Sequence, residues 1–252
     1  MKLKDKVAIV TGGGTGMGRA TCERFAREGA RVVVNYSRSR QAAEEVADGI
    51  RRQGGDAIAV EADVAVDAQV REMISRTGER WGRLDILVNN AGWTRRTPHH
   101  RLEDLTDEIW DRTLNVNLRG PFYTMRAALP LLKKNPGSAI VNVATTAFFT
   151  GSGSTIAYGA AKSALIAMTK SFAKLLAPEG RANVMAPGTV ATGFAGWPPE
   201  FYENIAKQSP LKRIATTDEV ASAILFLVAD ATFMTGETLL VDCGAISLGG
   251  GF

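Results

Sequence analysis

Hydrophobic positions in this chain come in two patterns, short β-branched runs and longer stretches with helical spacing. The first run is Val7-Ala8-Ile9-Val10, followed by Thr11-Gly12-Gly13-Gly14-Thr15-Gly16-Met17-Gly18. Consecutive apolar residues closed off by glycines predict a buried strand. From Met17 to Glu28 the period changes. Met17, Ala20, Thr21 and Phe25 recur at helical spacing, and Gly29 suits the helix end. The exchange then repeats with a strand over Arg31–Tyr36, a helix from about Ser39 to Gln53 and a strand over Ala57–Glu61. Asp67 is expected to cap a helix carrying Val70, Met73, Ile74 and Trp81 that stops at Gly82, before a fourth strand over Asp85–Asn89.

The second half keeps the pattern with longer helices. Thr106 to about Leu132 is predicted to be mainly helical, kinked or bounded at Pro121 and Pro130. Strands follow over Ser138–Ala144, Arg181–Ala186 and Thr238–Asp242, with helices over Ala157–Ala177 and Thr217–Val228. Such alternation implies parallel strands with helices on both sheet faces. Right-handed crossovers then predict a doubly wound α/β Rossmann fold of about seven parallel strands. No repeat, linker or low-complexity stretch interrupts it, so 1–252 reads as a single dinucleotide-binding and catalytic domain.

Composition adds little to this picture. A hydrophobic fraction of 45% with 22% charged residues is ordinary for a globular protein. The net charge of +4 is spread without a Lys/Arg run, which argues against a nucleic-acid surface and suits an anionic cofactor or substrate. Cys22 and Cys243 are the only cysteines, and no apolar run reaches transmembrane length. A cytoplasmic protein without membrane partners is the simplest expectation.

The candidate chemistry begins at the glycine loop. Between a strand and a helix, missing side chains let the backbone approach a pyrophosphate, and the helix N-terminus supplies free N–H groups. Gly12, Gly16 and Gly18 stand as Thr-Gly-x-x-x-Gly-x-Gly rather than the tighter Gly-x-Gly-x-x-Gly. Further on, Tyr158 and Lys162 lie four apart on one helix face. They read either as solvated surface residues or as a general acid/base held by an ammonium. A free tyrosine titrates near ~10, so acting as a phenolate near neutrality takes about 4 kcal/mol of stabilisation.

Several segments together carry a resemblance: Thr11–Gly18, Asp63-Val64, Asn89-Asn90-Ala91-Gly92, Tyr158-x-x-x-Lys162, Pro187-Gly188 with Thr192, and Val241-Asp242-x-Gly244. In this order they resemble the short-chain dehydrogenase/reductase family, most of all its 3-oxoacyl-acyl-carrier-protein reductase group. The resemblance spans nearly the whole chain. It implies that Tyr158 exchanges a proton with the substrate oxygen, and that Lys162 binds the nicotinamide ribose and lowers the Tyr158 pKa. Asn117 matches the family asparagine of a water-linked proton relay, although a helix-kink role fits it equally. By the same resemblance Gly12, Thr15, Gly16, Met17 and Gly18 form the cofactor loop. Asp63 and Val64 would flank the adenine, Asn90, Ala91 and Gly92 would line the adenosine ribose side, and Pro187, Gly188, Val190 and Thr192 the nicotinamide. A homotetramer through Thr106–Leu132 and Ala157–Ala177 is also implied.

The chain departs from the family at the serine thirteen residues before the tyrosine, where it has Thr145. Threonine keeps the hydroxyl and adds a methyl group, so Thr145 is expected to replace the serine, with Thr146 and Ser152 as fallbacks. Two smaller departures are Cys243 at a usual glycine and a stretch before Asn183 that is one residue short. The second strand ends in Asn35-Tyr36-Ser37-Arg38-Ser39 without the carboxylate that would select NAD. Arg38 suits a phosphate and Ser37 and Ser39 add hydrogen bonds, which favours NADP(H) over NAD(H). The segment resembles the family's NADP-binding turn.

The substrate is less legible. Trp93–Arg101 is basic, and suits either an anionic substrate or carrier or a solvated loop; its His99 and His100 lack companions for a metal site. Phe194, Trp197, Phe201 and Tyr202 fall in a segment, about 190–212, that reads as a substrate lid or as surface helices on the core. The expected function is an NADPH-dependent carbonyl reductase acting on a ketone, with a 3-oxoacyl thioester among the candidates. An alcohol or sugar dehydrogenase is the alternative, and a catalytically idle NADP-binding subunit is the reading from another class.

Overall fold

In the computed structural model, which describes residues 1–248, seven parallel strands form one sheet in the order β3-β2-β1-β4-β5-β6-β7. The last four residues of the expected domain, 249–252, lie outside the described residues. The strands are β1 (Val7–Val10), β2 (Arg31–Tyr36), β3 (Ala57–Glu61), β4 (Ile86–Asn89), β5 (Ser138–Val143), β6 (Gly180–Pro187) and β7 (Thr238–Val241). The helices are α1 (Gly16–Arg27), α2 (Arg40–Arg52), α3 (Asp67–Trp81), α4 (Asp107–Leu114), α5 (Gly120–Lys133), α6 (Ala147–Thr150), α7 (Ile156–Leu176), α8 (Pro199–Gln208) and α9 (Thr217–Leu225). No described helix is long and apolar enough to cross a membrane.

Side chains along β1 and β2 alternate between two cores, as a pleated strand requires. Ala8, Val10, Val32 and Val34 pack on one face with Cys22, Phe25 and Ile224, whereas Val7, Ile9 and Val33 pack on the other with Met73, Leu132 and Leu176. The uninterrupted apolar runs of the sequence follow from this. Both faces of a parallel sheet are covered, so neither can be polar.

One helix start differs from expectation. Asp67 is the first residue of α3 and not its cap; its carboxylate instead pairs with Arg71 at 2.9 Å and Arg126 at 2.6 Å. The stretch expected to be mainly helical, Thr106–Leu132, is helical without a break from Asp107 to Lys133. A π-helical turn, Asn115–Arg119, joins α4 to α5, and Pro121 falls in the first turn of α5, where its missing N–H costs nothing. Pro130 lies inside α5 without ending it. Gly29 and Gly82, at φ 89° and 69°, end α1 and α3 as the sequence suggests.

The strand order reverses between β1 and β4, where parallel sheets open a crevice at their carboxyl ends. A cavity of about 690 Å³ lies there. Residues just beyond each strand line it: Gly12, Ser37, Ala62, Asn90, Ala144, Gly188 and Asp242. All seven strands deliver one wall to the same space.

Candidate active site

One end of the cavity is the glycine loop. Gly12 has φ +62°, a region costly for any residue with a Cβ, and its own carbonyl leaves no room for a side chain on Gly18. A Cβ on Gly18 would stand 2.2 Å from that oxygen, so Gly18 closes the loop from behind and does not line the cavity. Gly12, Thr15, Gly16 and Met17 do line it. α1 begins at Gly16, which turns the helix's free N–H groups and positive dipole end toward this space.

Three polar side chains hold the loop. Thr11 Oγ1 accepts from Asn90 N at 3.0 Å and Ala91 N at 2.9 Å, and donates to Val88 O at 3.3 Å. Asn90 Nδ2 donates to the carbonyls of Thr11, at 2.9 Å, and Gly12, at 3.2 Å. The third is Asn35, buried at the end of β2. It accepts from Gly12 N at 3.3 Å and donates to Ala62 O at 3.0 Å, so one amide joins the ends of β1, β2 and β3. The sequence showed Asn35 only as a missing carboxylate. Its place in an otherwise apolar strand run was the available signal.

Beyond Asn35, Ser37, Arg38 and Ser39 are exposed and line the cavity, and no carboxylate pairs with Arg38 among the described residues. Asp63 and Val64 line the same end. Asp63 is tied by Arg112 Nη2 at 2.9 Å and by Ala65 N at 2.9 Å, an anchor the sequence did not reveal. Ala91, Gly92, Pro187, Gly188, Val190 and Thr192 complete the predicted wall.

At the middle of the cavity β5 meets the start of α7. Thr155 caps α7 by accepting from Tyr158 N at 2.9 Å, which fixes the first turn that carries Tyr158. Lys162, one turn on, is 2% exposed and donates from Nζ to Val143 O at 2.7 Å. Its ammonium lies 5.7 Å from the Tyr158 ring centroid. Burial pushes the lysine down to about 8 and pushes the Tyr158 phenol above its ordinary value. In the protein alone the phenol therefore moves opposite to the depression the family resemblance implies, because burial removes the water that would solvate a phenolate. Thr145, just past β5, lines the cavity and accepts from Ala147 N at 3.3 Å, leaving its own hydroxyl proton to donate. Thr146 and Ser152 line it as well.

Asn117 is the predicted residue set apart from the others. It is fully buried in the π-helical turn, and its amide donates to Trp93 O at 2.6 Å and Thr113 O at 2.8 Å while accepting from Trp93 N at 3.3 Å. It anchors the segment after β4 rather than facing the cavity. Behind the site, a chain of buried amides and hydroxyls, Thr124–Asn89–Asn142–Thr169, links α5, β4, β5 and α7 at 2.6 to 2.8 Å. Cys243, at φ +57°, shows why a glycine is usual there.

Comparison with known proteins agrees with this geometry. The family profile described as "Enoyl-(Acyl carrier protein) reductase" matches residues 12–245. The chain belongs to the short-chain dehydrogenase/reductase family. A 3-oxoacyl-acyl-carrier-protein reductase of a Synechocystis species is 38% identical, over 97% of this chain and 98% of its own. The reductase of the same description from Staphylococcus aureus is 35% identical over 95% of this chain and 97% of its own. Among solved structures, a short-chain dehydrogenase from Burkholderia cenocepacia in complex with NADP superposes with a TM-score of 0.91 at 34% identity, covering 97% of this chain and 99% of that one. Members of this family are oxidoreductases acting on CH–OH and C=O groups.

Proposed function

We propose that this short-chain oxidoreductase reduces a ketone with NADPH. The observation that carries the reading is a single cavity joining the glycine loop and the unpaired Arg38 to the Tyr158–Lys162 pair beneath Thr145. The residues present fit a dinucleotide phosphate. Gly12, Thr15, Gly16 and Met17 would receive the pyrophosphate, and Ser37, Arg38 and Ser39 the 2′-phosphate. Asp63 and Val64 would flank the adenine, Asn90, Ala91 and Gly92 its ribose, and Pro187, Gly188, Val190 and Thr192 the nicotinamide. The Burkholderia cenocepacia relative binds NADP in the same fold.

When bound, the reduced nicotinamide supplies the hydride that the carbonyl carbon receives. Tyr158 supplies the proton to the carbonyl oxygen, so that C=O becomes CH–OH. Its raised pKa suits that direction, since a neutral phenol is the form that donates. Thr145 Oγ1 donates a hydrogen bond to the same oxygen and polarises the carbonyl. Lys162 keeps two N–H bonds beyond the one to Val143 O, enough to hold a ribose hydroxyl and to return a proton toward Tyr158. Asn117 positions Trp93 beside them.

The relatives' descriptions put a 3-oxoacyl thioester among the ketones to test. Following absorbance as NADPH or NADH is oxidised against a panel of ketones, thioesters and ketoses tests the reading directly. Turnover with NADPH, abolished in Tyr158→Phe with cofactor binding kept, supports it. Tight NADPH binding with no turnover on any of these overturns it in favour of an idle subunit. Trp110, Phe122, Ile156 and Leu175, each at least 36% exposed on α4, α5 and α7, support a homotetramer built on those helices. Light scattering checks its mass.

A further inference from the structure

The cavity end beyond Tyr158 is walled by rings. Phe194 lies 5.9 Å from the Tyr158 ring, centroid to centroid, and is 46% exposed. Trp197 stacks on Phe201 at 4.2 Å with 12° between the planes, and Arg96 covers the outer side of Trp197 at 5.1 Å. Trp93 and Tyr202 also line this end. The helix that carries Phe201, Tyr202 and Ile205, α8, buries none of its residues. Phe201, Tyr202 and Ile205 line the cavity and are only half-buried, and leaving such apolar surface in water is unfavourable. Two charged groups at this end are already engaged, whereas Arg96 has no carboxylate partner among the described residues. Arg213 forks onto both Glu219 oxygens at 2.7 and 2.8 Å, and both Asp242 oxygens accept backbone N–H groups, from Gly244 at 2.9 Å and Ile246 at 2.8 Å.

From this we infer that the ketone reduced here carries a planar ring, which stacks on the Phe194 ring and on Phe201, itself backed by Trp197, while its carbonyl meets Tyr158. Flat π-faces prefer offset or tilted partners about 4.5–7 Å away, and the wall offers two such partners. Arg96 is a positioning residue that holds the Trp197 plane. The inference rests on the proposed reductase reading and narrows its substrate class.

The test compares two neutral diketones of similar reactivity with NADPH, one bearing a phenyl group and one a linear alkyl group. The wild-type protein is expected to favour the phenyl compound in kcat/KM by about tenfold, the sum of two ring contacts. Trp197→Leu and Phe194→Leu should each lower that ratio about threefold or more, and Arg96→Gln should lower it less, with Arg96→Lys restoring it. Equal turnover of the two diketones, or a ratio unmoved by Trp197→Leu, overturns the ring inference and leaves the reductase reading intact. If neither diketone is reduced while another ketone, thioester or ketose of the panel is, the ring inference falls and the reductase reading stands; if none of the panel is reduced, the reductase reading falls. In that last case, saturable quenching of tryptophan fluorescence by the phenyl compound in the NADP complex, lost in Trp197→Leu, would still uphold the ring site, and its absence would overturn that as well.

Discussion

The two ends of the cavity are built on opposite principles. At the glycine loop the backbone is tied to strand ends by side chains: Thr11 and Asn35, both buried, and half-buried Asn90 each bond to main-chain groups of another segment. At the other end α8 buries no residue; its Phe201 meets Tyr202 and stacks on Trp197, which Arg96 covers in turn. The first end suits a ligand whose shape never varies, because orientation is set before it arrives. The second suits ligands that differ, because repacking exposed rings disturbs no hydrogen bond. One fold can thus keep a fixed cofactor site and a changeable substrate wall within a single cavity.

The sharpest test lies at the seam between these ends. Tyr158→Phe is expected to lower kcat by 10²–10⁴-fold while NADPH affinity changes little, measured by steady-state kinetics and cofactor titration. If both fall together, Tyr158 belongs to the fixed end as a binding group. Arg38→Gln acts at the fixed end alone. It should raise the KM for NADPH by about 10–100-fold and leave NADH unchanged, the loss of a charge-assisted phosphate contact. Asn35→Ala removes partners from Gly12 N and Ala62 O, and is expected to cost about 1–3 kcal/mol in urea unfolding and to weaken cofactor binding. An equivalent loss from Tyr202→Ala on α8 would erase the contrast.

Lys162 offers a pH test with a definite sign. Its folded value, about 8, lies below the ordinary 10.5, so the buried ammonium opposes folding below pH about 8. That penalty fades as pH rises from about 8 toward 10.5, and stability from this group should rise over the same window. Lys162→Met should flatten the rise in unfolding midpoint against pH. Affinity for NADPH should move the other way, falling above about 8 as the ammonium loses its proton. The smallest expected effect is Cys243→Gly. Relief of the left-handed backbone at φ +57° should stabilise the protein by up to about 1 kcal/mol, seen as a small rise in Tm.

Much of this was legible before the structure. Uninterrupted β-branched runs and helical spacing gave the strand and helix order, because a parallel sheet covered on both faces demands apolar strands. The glycine loop was legible because glycine adopts φ +62° at Gly12 without strain and only glycine fits the contact at Gly18. The spacing of Tyr158 and Lys162 was legible because one helical turn puts them on one face. Less visible were Asp67, one residue inside α3 rather than at its cap, and the π-helical turn around Asn117. Both depend on long-range partners: Arg126 for the first, the Trp93 backbone for the second.

The chain by itself therefore determined the local alphabet: strands, helices, a phosphate-ready loop and an arginine where an acid would select the other cofactor. These follow from neighbours within a few residues. Tertiary structure alone decided that seven strand ends open into one cavity and that Asn35 ties three of them together. It also decided that burial raises the Tyr158 phenol and lowers Lys162, since desolvation depends on what covers a group and not on its sequence neighbours.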